Sequence, residues 1–119
     1  MDASKRRSIQ GYKSYFSEFL LRQRPQVREK LLWTLRIIEF SHPIPSNYFK
    51  HLEGTEGLFE IRVQHGTDIF RIFCFFGKNR ELILANAFQK KTQKTPITEL
   101  KKALRIKKDY EAEQKLDNP

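Results

Sequence analysis

Cysteine is nearly missing from this sequence: Cys74 is the only one in 119 residues. A lone cysteine cannot close an intrachain disulfide, and Cys74 lies in an apolar run, which predicts a buried thiol in a reducing compartment. Long apolar stretches are missing too. No window approaches the span of a transmembrane helix, and no hydrophobic region follows the basic start "MDASKRRSIQGYK", so it does not read as a secretory signal. These features predict a cytoplasmic protein with no membrane contact. Glycine is sparse, with five residues, and neither "GTEG" nor "HGTD" has the spacing of a phosphate-cradling loop. One cysteine and three scattered histidines make no ligand set, so neither a metal nor another cofactor is expected.

Acidic residues are also short. Fourteen Asp and Glu face 23 Lys and Arg, a formal net charge of +9. An excess of this size points to an anionic partner: nucleic acid, a membrane surface or an acidic protein. The chain is not disordered, because 39% of its residues are hydrophobic and 13% aromatic, enough to build a core. Its length suits a single domain over 1–119.

Periodicity supplies the elements. Lys5–Gln10 reads either as an edge strand or as a basic lead without structure. Tyr12, Tyr15, Phe16, Phe19 and Leu20 then recur at helical spacing. Pro25 interrupts them and suits the first turn of a second helix, whose stripe is Val27, Leu31, Leu35 and Ile38. Two helices with a short link predict an antiparallel hairpin. "SHPIPSNYFKHLEGTEG" is punctuation, with a cap available at Ser46 and room for one helical turn over Asn47–Leu52. From Phe59 the period becomes two: Phe59, Ile61 and Val63 alternate with Glu60, Arg62 and Gln64. "IFRIFCFF", Ile69–Phe76, is apolar on both faces except at Arg71 and reads as a central strand. Leu82–Phe88 is a third strand, and short turns make the three a meander. Thr95 as N-cap and Pro96 at the first helical position open a last helix. The expected class is α+β: a small twisted antiparallel sheet with an N-terminal helical hairpin and a C-terminal helix packed on it, the helices on one face.

Arg71 is the most informative residue. A charge on an apolar strand must be paired or hydrated. A cross-strand ion pair with Glu60 would satisfy it structurally; a phosphate held by its planar fork would satisfy it functionally. Strand parity puts Arg71 on a face with Phe73, and Phe88 with Leu82 and Leu84. If these faces meet, Arg62 and Arg71 share one side of the sheet with aromatics. In "AFQKKTQKTP", Lys90, Lys91 and Lys94 crowd the approach to a helix N-terminus, already positive through its free N–H groups. From Phe88 to Lys108 there are eight basic residues and one acid, Glu99. Such crowding makes sense around a bound anion. His65, beside the hairpin turn, is a candidate proton carrier at the rim; His42 and His51 read as loop residues.

"HLEGTEGLFEIRV", "DIFRIFCFF" and "FQKKTQKTPITELKKAL" together resemble the HigB-like, phage-derived branch of the RelE/ParE toxin superfamily, the toxin halves of type II toxin–antitoxin modules. The resemblance runs from about the first helix to the last. It implies a RelE-like fold and, for RelE-like members, a ribosome-dependent mRNA endoribonuclease that works without metal: the 2′-hydroxyl attacks the neighbouring phosphate and leaves a 2′,3′-cyclic phosphate. Carried over, Arg71 and Arg62 hold the scissile phosphate and its transition state, and Lys90 and Lys91 stabilise charge or transfer protons. Lys94, Phe88, Phe73 and His65 are candidate RNA contacts, the two phenylalanines by stacking on a base. Tyr110 alone could stand in for a tyrosine found near the C-terminus of some RelE-type members. The implied partners are mRNA on the ribosome and a cognate helix-turn-helix antitoxin of HigA type. Two alternatives share the chemistry only in part: a ParE-like toxin that inhibits DNA gyrase and cuts nothing, and a non-catalytic RNA- or ribosome-binding protein.

Overall fold

The computed structural model describes residues 4–117. Its elements, in chain order, are β1 (Ile9–Gly11), α1 (Tyr15–Leu21), α2 (Pro25–Phe40), β2 (Phe49–His51), β3 (Phe59–His65), β4 (Asp68–Phe76), β5 (Leu82–Lys90) and α3 (Ile97–Asp117), with one 3-10 turn at Lys78–Arg80. The α+β class is as the patterning predicts. The strands form one sheet in the order β1-β5-β4-β3-β2. The β3–β4–β5 meander is antiparallel, as is β2 on β3. The sheet is nonetheless mixed, because β1 joins β5 in parallel, with Ile9 beside Leu82 and Gly11 beside Leu84.

Helices cover both faces, not one. On the first face α1 and α2 bury Phe16, Phe19, Val27, Leu31 and Ile38 against Ile61, Val63, Phe70, Ile72 and Leu84. On the second, α3 lays Ala103, Ile106 and Tyr110 over Phe73, Phe75, Ile83 and Ala85. The two-sided apolarity of "IFRIFCFF" has this cause: alternate residues of β4 enter different cores, each removing apolar surface from water.

Two local expectations change. Within Asn47–Leu52, Phe49–His51 forms the edge strand β2 rather than a helical turn. Phe49 stacks on Phe59 with ring centroids 4.8 Å apart, and Tyr48 O accepts from Arg62 N at 2.9 Å, so cross-strand pairing outweighs the local helical option. The second change is a bulge. Ile72 pairs with Ala87 but Cys74 pairs with Leu84, so β5 spends three residues where β4 spends two. The extra residue breaks the alternation. Phe88 and Lys90 therefore leave the face of Leu82 and Leu84 and join that of Arg71.

The basic lead has a structural task. Arg7 donates through Nη1 to Ile38 O and, at 2.8 Å, to Ser41 O, and Arg6 N donates to Glu39 O at 2.7 Å. A cation and two donors thus close the C-terminal carbonyls of α2, where the helix dipole is negative. At the other end of the chain, α3 begins at Ile97 and Pro96 O accepts its first bond from Leu100 N at 3.1 Å, one residue later than expected.

Gly77, at the end of β4, marks the closest approach of α3 to the sheet. A Cβ there would lie inside the Tyr110 hydroxyl and 2.8 Å from Ile83 Cγ1, and that hydroxyl accepts from Lys78 N at 3.2 Å. Gly77→Ala is expected to destabilise the protein by about 1–3 kcal/mol through overpacking, read as a fall in the urea midpoint, and Gly77→Ala combined with Tyr110→Phe is expected to recover part of it.

Candidate active site

The site lies on the α3 face, in the part of the sheet beyond the helix. β3 and β4 place Arg62 directly opposite Arg71, and β5 places Phe88 opposite Arg71 in turn. One step along, Lys90 pairs with Ile69; one step the other way, Glu60 lies between Lys50 and Phe73. Arg62, Ile69, Arg71, Lys90, Lys91, Thr92 and Gln93 line one open cleft of about 470 Å³. All four residues expected to act on a phosphate gather there.

Two arginines opposite each other on adjacent strands repel. Glu60 offsets this from one side. It is 2% exposed and its Oε2 lies 3.0 Å from Arg71 Nη1 and 3.9 Å from Lys50 Nζ. The structural alternative for Arg71 is therefore realised: it has its carboxylate. It also lines the cleft, and its buried Nε has no partner. The Arg62 guanidinium donates to Gln64 Oε1 at 3.0 Å, and among the described residues no carboxylate lies within ion-pair distance of Arg62, Lys90 or Lys91. Five cations surround one carboxylate here. That residual charge is what a phosphodiester would neutralise.

The charges shift one another. Burial lowers the Arg71 guanidinium from its usual range, Glu60 pulls it back up and Arg62 pushes it down; an arginine remains charged throughout. The Lys90 ammonium is lowered first by desolvation and then by Arg71, with Lys50 and Arg62 adding to the effect and Glu60 opposing it. Lys90 thus loses a proton more readily than an ordinary lysine.

The other expected contacts fare differently. Phe73 is 0% exposed and packs edge-on against Phe88 at 5.2 Å. It cannot stack on a base. Phe88 is itself 9% exposed and belongs to the core under α3, so it packs opposite Arg71 and offers no platform to a base. Lys94 is exposed in the loop before α3, just past the cleft lining. His65 stands at the β3–β4 turn beside Arg24, whose Nη2 is 3.4 Å from His65 Nδ1 and 3.2 Å from Asp68 Oδ2; it is not among the cleft residues. Tyr110 is 7% exposed, in the core with its hydroxyl on Lys78 N, and takes no part. Lys50, Thr92 and Gln93 were missed. Lys50 could be found only with β2 in place, whereas Thr92 and Gln93 lie within the basic loop itself. Among the described residues no three His, Cys, Asp or Glu side chains gather as a metal site would need, and no helix is long and apolar enough to cross a membrane.

The family model described as phage derived protein Gp49-like (DUF891) matches residues 18–108. The chain belongs to this family. It is a family related to RelE and toxin-like proteins, and the matched span of the Gp49-like chain holds every residue of the cleft. No curated protein matches the chain.

Two predictions follow from this geometry. Glu60→Met and Arg71→Met, each leaving a buried partner uncompensated, are expected to cost about 3–5 kcal/mol singly, while the two together recover most of that loss; denaturant unfolding of wild type and the three variants measures it, and additive losses would contradict the pairing. Titration of the Lys90 side chain by NMR is expected to give a pKa below the ordinary lysine range. Glu60→Gln should lower it further by removing the one attractive charge, and Arg62→Ala should raise it by removing a repulsive one.

Proposed function

We propose that this Gp49-like protein is the toxin of a type II toxin–antitoxin pair, HigB-like in kind, and that its cleft cleaves mRNA without a metal. The observation that carries the reading is the convergence of Arg62, Arg71, Lys90 and Lys91 on one cleft, where among the described residues a carboxylate within ion-pair distance meets one of the four, Arg71.

In the proposed reaction the phosphodiester lies over Arg71, its non-bridging oxygens facing Arg71 and Arg62. Lys90, in its neutral form, takes the proton of the 2′-hydroxyl. The 2′-oxygen then forms a bond to phosphorus, and the bond from phosphorus to the 5′-oxygen breaks. Protonated Lys91 gives its proton to that leaving oxygen. The products are a 2′,3′-cyclic phosphate and a 5′-hydroxyl, and the proton on Lys90 returns to Lys91 through solvent. The arginines are already fixed where negative charge develops, so little reorganisation accompanies the step.

Ribosome dependence is supported by what the cleft lacks. Phe73 and Phe88 are buried, and the remaining walls are Ile69, Thr92 and Gln93. No aromatic platform is at hand to hold a splayed strand, a means by which proteins grip single-stranded RNA. An RNA presented with its backbone already extended, as mRNA is on the ribosome, removes that need. An acidic helix-turn-helix antitoxin would bind the same cationic surface rapidly and in a salt-sensitive way.

One observation favours a second reading. The Arg71–Glu60 pair satisfies part of the guanidinium internally, as a non-catalytic RNA- or ribosome-binding protein would need for stability alone. The two readings separate on expression under tight control with 5′-end mapping of translated messages. Wild type is expected to arrest growth and cut within reading frames. Arg62→Ala, Lys90→Ala and Lys91→Ala, all at positions outside the ion pair, are each expected to lower cutting by about 10²–10³-fold at a folding stability within about 0.5 kcal/mol of wild type. Arrest with intact messages and lost DNA supercoiling would assign the protein to gyrase inhibition, and absence of both would assign it to binding without chemistry.

A further inference from the structure

The bulge that turns Lys90 into the cleft contains a buried amide that the proposed reaction leaves unused. Asn86 lies within it, between Leu84 and Ala87, and is 2% exposed. Its Nδ2 donates twice to the same residue, to Glu99 Oε1 at 2.9 Å and to Glu99 O at 3.0 Å. Glu99 stands in the first turn of α3. The strand that supplies Lys90 is thus tied to the helix that follows it. Between the two runs the loop of residues 91–96, of which Lys91, Thr92 and Gln93 wall the cleft.

Apolar packing holds the start of α3 only lightly. Ile97 is 67% exposed, and Leu100 is the first residue of the helix to pack on the core beneath it. The loop is exposed from Lys91 to Lys94, and inside it Thr92 Oγ1 donates to Lys94 O at 3.0 Å. A segment with so few contacts of its own takes its position from its ends. One end, Lys90, is fixed by pairing with Ile69; the other is fixed by Asn86. The asparagine stands there at a cost, because its Oδ1 is buried without a partner. An unpaired buried amide oxygen destabilises a fold where an apolar side chain would not. What Asn86 supplies in return is its two bonds to Glu99. Those bonds also occupy the one acid between Phe88 and Lys108, and among the described residues no carboxylate lies within ion-pair distance of Lys91 or Lys94.

We propose that Asn86 is a positioning residue of the cleft: through Glu99 it sets where the loop of Lys91, Thr92 and Gln93 stands, and with it the affinity of the cleft for a phosphodiester. The phosphodiester as ligand rests on the nuclease reading of the cleft; the placement of the loop does not. Asn86 itself meets no substrate. A loop already held in place is not ordered anew when an anion arrives, so that entropy is lost on folding and not on binding.

The test uses full-length wild type and four variants. Asn86→Ala removes the tie from the strand. Glu99→Ala removes its side-chain half from the helix without opening the core, and Glu99→Gln keeps an oxygen for Asn86 to bond. Gly77→Ala strains the packing of α3 at its other end, against Tyr110, and controls for lost stability alone. NMR gives the backbone relaxation of Thr92 and Gln93 in the free proteins, and the shifts of their amides on adding a dinucleotide whose 2′-deoxy sugar prevents cleavage. Asn86→Ala is expected to raise the mobility of both residues and to weaken the dinucleotide about fivefold. The Lys90 titration should not move, since burial and the charges of Arg71, Glu60, Lys50 and Arg62 set it. Glu99→Ala is expected to bind more weakly than Glu99→Gln. Both lose the same negative charge, a loss that by itself favours an anion, so the difference between them reads the bond and not the field. Gly77→Ala should match wild type in loop mobility and in binding. The proposal is overturned if the two Glu99 variants bind alike, or if Gly77→Ala weakens binding as much as Asn86→Ala. A Lys90 titration that moves in Asn86→Ala overturns it too, because the strand and not the loop would then have changed. A loop made mobile by Asn86→Ala and Glu99→Ala, beside a wild type that binds no dinucleotide, upholds the placement of the loop and removes the nuclease reading of the cleft.

Discussion

A single buried carboxylate organises the charged half of this sheet. Glu60 sits on β3 with 2% of its surface exposed, and a carboxylate in that position is tolerated only if its charge is answered at short range. Arg71 answers it across the strand pair. That contact needs the β3–β4 register in which Arg62 faces Arg71 and Glu60 faces Phe73, because a slip of one residue would carry Glu60 to the helical core on the other face. The pair therefore fixes Arg71 in place and fixes Arg62 beside it, at a separation that like charges would not choose. Lys50 and Lys90 enter the same field, so one negative charge is shared among cations that outnumber it. Burial first and that surplus second lower the Lys90 pKa, and the surplus leaves the cleft positive.

The fold leaves this region open by the way its helices are distributed. α1 and α2 cover the first face over Ile61, Val63, Phe70, Ile72 and Leu84, whereas α3 covers the second over Phe73, Phe75, Ile83, Ala85 and Phe88. Ile69, Arg71 and Lys90, further along β4 and β5 on that face, lie outside that core and line the cleft. The bulge in β5 decides what stands there. It turns Phe88 and Lys90 onto the Arg71 face, so that a lysine, rather than Gln89, joins the arginines. The loop of Lys91, Thr92 and Gln93 then closes the cleft before the chain turns into α3. Strand register, bulge and loop act together, and each rests on packing elsewhere in the protein.

Much of this was legible in the sequence because much of it is local. Period-two alternation gave β3, two-sided apolarity gave β4, and Pro25 and Pro96 marked the starts of α2 and α3 within a residue. Arg71 stood out because an isolated charge in an apolar run is costly wherever it falls, and both of its readings, ion pair and cleft residue, have a counterpart in the structure. The unread parts are non-local. The parallel pairing of β1 with β5 joins segments more than seventy residues apart. β2 is held by stacking on Phe59, which no window around Asn47 contains. The bulge leaves no mark in the alternation of Leu82–Phe88, so parity groups Phe88 with Leu82 and Leu84, from which the structure separates it while keeping it beside Arg71. Phe73 read as available to a base because its strand face was right, while the helix that covers it lies thirty residues further on.

Positive charge in this protein therefore occupies two different environments, with different physical consequences. In the cleft the cations are crowded and partly desolvated, which perturbs their proton affinities and raises the strength of each contact with a bound anion. Along α3, Lys101, Arg105, Lys108 and Lys115 are exposed, so each contributes little alone. The first environment strengthens contact with a single anion, and the second does not. Water between exposed charges screens those of α3 from the cleft beyond about one Debye length, so the field at Lys90 is set by Arg71, Glu60, Lys50 and Arg62 and by burial rather than by the helix.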